Sequence, residues 1–349
     1  MTPRRDDLLT VQALRAVAAL LVVAYHGLDQ WATHAGGQTA DAIWPNGSAG
    51  VDIFFVISGL VMTISARRVA ERAHAWRIFM TQRLKRIMPL YWLVTTAKIA
   101  AVIALPALAT RTRLDLPYVI ASYALLPVRD WTGEIRPVLP VGWTLSYEML
   151  FYLLVTCALA ARVPILRVAL PALAVFAAGA ILTPAAWGFL NTIVLEFLFG
   201  VLLGIAIHRG LRAPRPVAVA LLLVGSVAIV LMPPVSGLLR PLTWGVPAAG
   251  IVAGAVLLEK ELAPVLPRWL LAAGDASYAT YLTHGFVVPL VFLVARHAGL
   301  QDMPLLVVTL LGSLFVSALV GQATHVWVER PMTNRLRRRP PIPTVAVVG

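Results

Sequence analysis

Residues 8–26 read LLTVQALRAVAALLVVAYH, an apolar run broken near one end by Arg15 and near the other by His26. The two are eleven residues apart, which on an α-helix is about 20° from three full turns. They share a face and stand roughly 16 Å apart along the axis. Ala18, Ala19 and Val22 lie along that face, so small side chains leave room for other groups to approach. A guanidinium this far inside an apolar helix is costly to bury, and such charges mark functional sites turned toward a bundle interior.

The rest of the chain repeats the pattern. Of 349 residues, 59% are hydrophobic and only 13% charged, and the mean hydropathy is +0.82. A soluble domain carries about twice that charged fraction. Apolar stretches of about twenty residues, each long enough to cross a bilayer, recur at 8–28, 49–66, 88–108, 138–160, 165–183, 188–207, 215–233, 241–258, 276–295 and 303–328. The expected fold is all-α: a polytopic integral membrane protein of about ten transmembrane helices, forming one membrane domain over 1–349. A shorter apolar piece, 116–127, contains Pro117 and reads as interfacial or re-entrant. The first apolar run is long and no small-residue cleavage site follows it, so no cleavable signal peptide is expected. The single cysteine, Cys157, excludes an internal disulfide and any multi-cysteine metal site; in its apolar run it reads as a small buried hydrophobe.

Net charge is +13, which by itself would suit a nucleic acid. The positions of the charges argue against that partner and for membrane topology. With ten spans and a cytoplasmic N-terminus, 21 of the 29 basic residues fall on one side, as expected of cytoplasmic loops. An eleventh span at 116–127 would divide them between sides. Both termini are therefore expected in the cytoplasm, the last residues, 334–349, as a short tail, and the protein in the inner (plasma) membrane, multi-pass.

Polar groups inside or beside the spans are the candidates for chemistry. The second span opens GVDIFFVISGLVMT, with Asp52 at about the depth of His26. Asp52 has two readings: a carboxylate orienting His26 and raising the basicity of its free nitrogen, or a cap at a helix N-terminus. Before the third span, RLKRIMPLYWL brings Arg83 and Arg86 three residues apart. These can project from one helical face and grip one anion jointly, or simply serve as inside-positive anchors. The fourth span begins PVGWTLSYEMLFYLL, and Glu148 is the only acid between Glu134 and Glu196. Glu148 reads as facing a polar cavity or as snorkelling to the interface; Ser146 reads as a candidate N-cap. Ahead of and within the ninth span, GDASYATYLTHGFVV lines Tyr278, Tyr281 and His284 on one stripe. The tyrosines suit interhelical hydrogen bonds, and His284, inside the membrane, is a candidate for substrate contact. Glu196 is a second intramembrane acid, and His325 and Glu329 are spaced to pair.

Taken together, VQALRAVAALLVVAYH, GVDIFFVISGLVMT, RLKRIMPLYWL, GWTLSYEMLFYL, GDASYATYLTHGFVV and VERPM resemble the membrane acyltransferase-3 family. They occur in the family's order over roughly 8–333, and the wording is most similar to the branch that O-acetylates exopolysaccharides. The resemblance implies an enzyme, an acetyl-CoA-dependent O-acetyltransferase acting on a carbohydrate hydroxyl, with acetyl-CoA as co-substrate and no permanently bound cofactor or metal. Its Arg-x10-His signature falls on Arg15 and His26, and its Arg-x-x-Arg signature on Arg83 and Arg86. His26 would then be the general base, with Asp52 or Glu148 its orienting carboxylate, and Arg15, Arg83 and Arg86 would hold the CoA moiety. Trp143, Ser146, Tyr281 and His284 would contact the acceptor. Where many relatives carry a second acid after Glu148, this chain has Met149. The competing reading from intramembrane charge alone is a secondary transporter or flippase for a carbohydrate or small anionic solute.

Overall fold

A computed structural model describes residues 8–105, 114–182, 189–232 and 239–337. Arg4, Arg5, Arg111, Arg113, Arg338 and Arg339, all used in the charge balance, lie outside them. Among the described residues the chain is helical, with one isolated β-bridge between Arg129 and Ile135. The α-helices of eight residues or more are α1 Leu9–Trp31, α2 Gly50–Val69, α3 Ala75–Ala104, α4 Leu116–Tyr123, α5 Trp143–Ala161, α6 Ile165–Leu182 and α7 Leu195–His208. They continue with α8 Arg215–Leu231, α9 Val246–Leu257, α10 Arg268–Asp275, α11 Ser277–His297, α12 Asp302–Thr324 and α13 Arg330–Arg337.

Seven helical stretches are long and apolar enough to cross a bilayer, and an eighth is the pair Pro241–Leu257 and Glu259–Val265, bent by 62°. The protein is thus a multi-pass membrane protein. Each expected span coincides with a helix, but Thr192–His208 and Arg215–Leu231 are shorter than the rest. The piece at 116–127 forms only the eight-residue α4, about 12 Å long, too short to cross. Its first turn is capped by Asp115, whose side chain accepts from the Tyr118 amide at 2.9 Å. The third span differs most from expectation. Its helix begins at Ala75 and runs through the basic stretch read as a loop, so Arg83 and Arg86 are carried on a spanning helix. Residues 75–86 hold no glycine or proline, and six of the twelve are Arg, Lys, Leu or Met, good helix formers.

One end of the bundle is tied together by polar contacts distant in sequence. The first amides of α1, which have no intrahelical acceptor, donate to Glu259: Leu9 N at 2.7 Å and Thr10 N at 3.0 Å. The Gln12 side chain donates to Leu271 O at 3.1 Å and to Asp275, and Gly274 packs directly on the Gln12 carbonyl. Lys85 donates to Leu336 O at 2.7 Å, joining α3 to α13. At the other end, Tyr25 donates to Asp41 at 2.8 Å and Asn46 caps the carbonyls of Ile229 and Met232 at 2.5 and 3.0 Å. α1 therefore runs through the centre, packed on α2, α11 and α12.

The tightest crossing is between α2 and α7. A Cβ on Gly59 would stand 2.1 Å from Phe197 O, and one on Gly200 2.0 Å from Val56 O. Only paired glycines allow this approach, the small-residue contact expected of membrane helices.

Candidate active site

A cavity of about 100 Å³ lies among α1, α2, α3, α5 and α11. Its polar groups are Arg15, Ser58, Arg83, Arg86, Thr144, Glu148, Tyr152, Ser277, Tyr278 and Tyr281, and its remaining wall is apolar, including Phe54, Phe55, Val61 and Met62. Three guanidinium groups from two helices thus converge on a space containing one carboxylate. Arg83 is buried, its guanidinium 5.3 Å from the Phe79 ring centre.

The tyrosines frame this space. Tyr152 donates to Glu148 at 2.6 Å, one turn along the same helix. Tyr278 donates to Ile87 O at 2.8 Å, fixing α11 against α3. The Tyr281 hydroxyl lies 2.9 Å from that of Thr144 and 3.1 Å from Val141 O, fixing α11 against the start of α5. The interhelical bonds read from the Tyr278–Tyr281 spacing are therefore present.

The histidines form a second cluster, adjoining the cavity. The His284 ring is 5.7 Å from that of Tyr281 and 4.9 Å from that of His26, centre to centre. His284 is fully buried, so it stands behind the cavity wall rather than open to a substrate. His26 is half-buried, its Nδ1 2.9 Å from Val22 O. Its Nε2 is left as the nitrogen available to a reacting group.

Neither acid proposed to orient His26 does so. Asp52 is fully buried and faces Arg240, receiving 2.9 and 2.7 Å bonds from Nε and Nη2. A bidentate guanidinium is the strongest partner a buried carboxylate can find, and Arg240, 188 residues away, outcompetes the histidine. Glu196, fully buried, completes that cluster, packed against Gly245. Glu148 lies in the arginine-lined cavity, whose wall does not include His26. Trp143 and Ser146 do not line the cavity either. Trp143 packs edge-on against Phe55 and Tyr147, and Ser146 turns back toward Gly142 O. Two smaller readings resolve differently. Cys157 is exposed because α5 buries the opposite face, where Phe151, Tyr152, Val155 and Ala158 lie. His325 and Glu329 do pair, at 2.8 Å.

A cavity lined by clustered arginines, with a wall residue that packs against a histidine pair, fits the site expected from the six motifs, and comparison with known proteins decides the family. The model of the acyltransferase domain matches residues 9–322. The chain belongs to the acyltransferase-3 family. It is 34% identical over 305 residues to the exopolysaccharide production protein ExoZ of Rhizobium meliloti (strain 1021), covering 84% of this chain and 92% of that one. It is 29% identical to the acyltransferase MdmB of Streptomyces mycarofaciens, covering 99% and 96%. No solved structure matches the chain. Membership of an acyltransferase family replaces the transporter reading.

Proposed function

We propose that this protein is an inner-membrane O-acetyltransferase that moves an acetyl group from cytoplasmic acetyl-CoA to a hydroxyl of a surface carbohydrate. The observation that carries the proposal is the convergence of Arg15, Arg83 and Arg86 on one cavity whose wall residue Tyr281 adjoins the His284–His26 pair. The similarity to an exopolysaccharide production protein supports a polysaccharide or lipid-linked oligosaccharide as acceptor. We read ten spans with both termini cytoplasmic, which puts the end bearing Lys85 and α13 at the inner face.

The donor set fits the CoA moiety. Guanidinium groups bind phosphate through paired charge-assisted bonds, and the apolar remainder of the wall suits the pantetheine arm and acetyl group. Arg83 and Arg86 take the phosphates. Arg15 is roughly 16 Å along its helix from His26, too far for both to act on one carbonyl carbon, so it holds the donor rather than the reacting thioester.

His26 takes the proton of the acceptor hydroxyl at Nε2 as the oxygen attacks the thioester carbon. The C–S bond then breaks and the protonated histidine returns the proton to the leaving thiolate. A neutral imidazole can take a proton at one ring nitrogen and return it, which suits both steps. Transfer is direct, from thioester to hydroxyl, with no acyl-enzyme. The test is acetyl transfer from labelled acetyl-CoA by purified His26→Ala protein. Transfer is expected to be abolished while folding and acetyl-CoA binding persist; retained transfer would remove His26 from the mechanism.

A further inference from the structure

With both of those acids engaged elsewhere, the carboxylate whose charge reaches His26 is Asp29, three residues on in α1, and it accepts from the Ala40 amide at 3.0 Å. The rings packed against His26 are Tyr25 and His284. The ring centres of the two histidines are 4.9 Å apart and the planes cross at 63°, so the two rings are in contact. The tautomer of His284 follows from its partner. Nδ1 lies 2.6 Å from Tyr281 O, and a carbonyl oxygen only accepts, so Nδ1 carries the hydrogen and Nε2 carries a lone pair. That Nε2 is buried and has no hydrogen-bond partner among the described residues. An unsatisfied buried polar atom carries its full desolvation cost, and such atoms call for an explanation.

The same deduction holds for His26, whose Nδ1 is bound to Val22 O at 2.9 Å. In the resting pair both Nε2 atoms are acceptors, so no hydrogen bond joins the rings. Proton uptake by His26 sets a cation beside a neutral ring with an unused lone pair, the neutral ring being fully buried and the cation half-buried. Electrostatic interactions are strengthened in such low-dielectric surroundings.

We infer that His284 is a positioning residue for the acyl-transfer reaction, its buried Nε2 lone pair holding and stabilising the imidazolium form of His26. It fills the role usually given to a carboxylate, without the cost of a buried negative charge when His26 is neutral. It gains and loses no proton; the hydroxyl proton goes to His26 and from there to the thiolate. The backbone of α11 fixes it, since Tyr281 supplies both the carbonyl that sets its tautomer and the hydroxyl that ties this turn to α5.

This inference rests on His26 being the general base, and its test separates the two. Acetyl transfer is measured on purified full-length protein with acetyl-CoA as donor and de-O-acetylated exopolysaccharide fragments as acceptor. His284→Phe keeps a ring but removes the acceptor atom; His284→Gln supplies a side-chain carbonyl oxygen in its place. The phenylalanine variant is expected to lose kcat by about 10- to 100-fold, a share of what a positioned base contributes, with KM for both substrates unchanged. The glutamine variant is expected to recover most of that loss. Wild-type kcat in His284→Phe would overturn the inference, as would a loss in KM alone or a loss that glutamine does not recover. Should the phenylalanine variant fail to fold, His284→Leu replaces it against the same glutamine comparison. If His26→Ala abolishes transfer and His284→Phe does not reduce it, the role of His284 fails and the base remains; if His26→Ala stays active, both fail.

Discussion

Two groups of charged side chains lie inside this helical bundle, and they are built in opposite ways. Around Asp52, one guanidinium meets a carboxylate with both oxygens bonded, at 2.9 and 2.7 Å, and the fully buried Glu196 adjoins them. Around Arg15, Arg83 and Arg86, three guanidinium groups share a cavity with the single carboxylate Glu148, itself bonded to Tyr152. In the first cluster Asp52 and Arg240 are matched, while both oxygens of the buried Glu196 have no hydrogen-bond partner among the described residues. The second has excess positive charge and a space in front of it. Buried charge alone is therefore no guide to function. What distinguishes the two is which charge is in excess: two carboxylates against one guanidinium in the first, and three guanidinium groups against one carboxylate, around a cavity, in the second.

The comparison can be broken by substitution. Arg240→Leu leaves Asp52 buried without its partner, and removing one member of a buried pair costs about 3–5 kcal/mol. A clear drop in thermal stability of the detergent-purified protein is expected. Replacing both members, Asp52→Leu with Arg240→Leu, is expected to restore much of the loss, because an apolar pair of similar volume is often neutral. If the double variant folds as well as wild type yet transfers no acetyl group, the Asp52 cluster would belong to the chemistry after all.

Changes in the second cluster are expected to act on ligand binding and not on folding. Glu148→Gln removes the acid facing the three arginines, so acetyl-CoA affinity, read by calorimetry, is expected to be kept or raised severalfold at low salt. A large loss would mean that Glu148 contacts the donor or acceptor directly. The smallest effect is expected of Tyr152→Phe, which removes the 2.6 Å bond to Glu148. At about 1.5–3 kcal/mol for a bond to a charged group, and with Glu148 free to turn to an arginine instead, a stability loss at or below the lower figure is expected.

The sequence carried much of this arrangement and missed particular parts of it. Apolar length located each of the seven helices long and apolar enough to cross a bilayer, because the bilayer imposes that length on a local stretch of chain. The shared face of Arg15 and His26 followed from helical periodicity, and so did the Tyr278–Tyr281 stripe. The partner of Asp52 was not legible. Arg240 sits 188 residues away, in helical conformation just before the Pro241–Gly245 segment that leads into α9, with no motif of its own, and only the packing of α2 beside the start of α9 brings them together. Glu148 was read as facing a polar cavity, and through the family resemblance as a candidate carboxylate for His26. That helix is set so that Glu148 faces the arginines of α1 and α3 instead. His284 drew notice as an intramembrane histidine, but its contact with His26 depends on the crossing of α1 and α11, which no local pattern encodes.

In the proposed mechanism, clustered arginines hold the donor at one end of a path whose other end is the base on the first helix. It is tested most directly by titrating acetyl-CoA into three purified proteins: wild type, Arg83→Gln with Arg86→Gln, and His26→Ala. Each lost charge-assisted bond is worth about 1.5–3 kcal/mol, so the double arginine variant is expected to bind at least about 100-fold more weakly, while His26→Ala binds as wild type does but transfers nothing. Wild-type affinity in the arginine variant, or lost binding in His26→Ala, would contradict it.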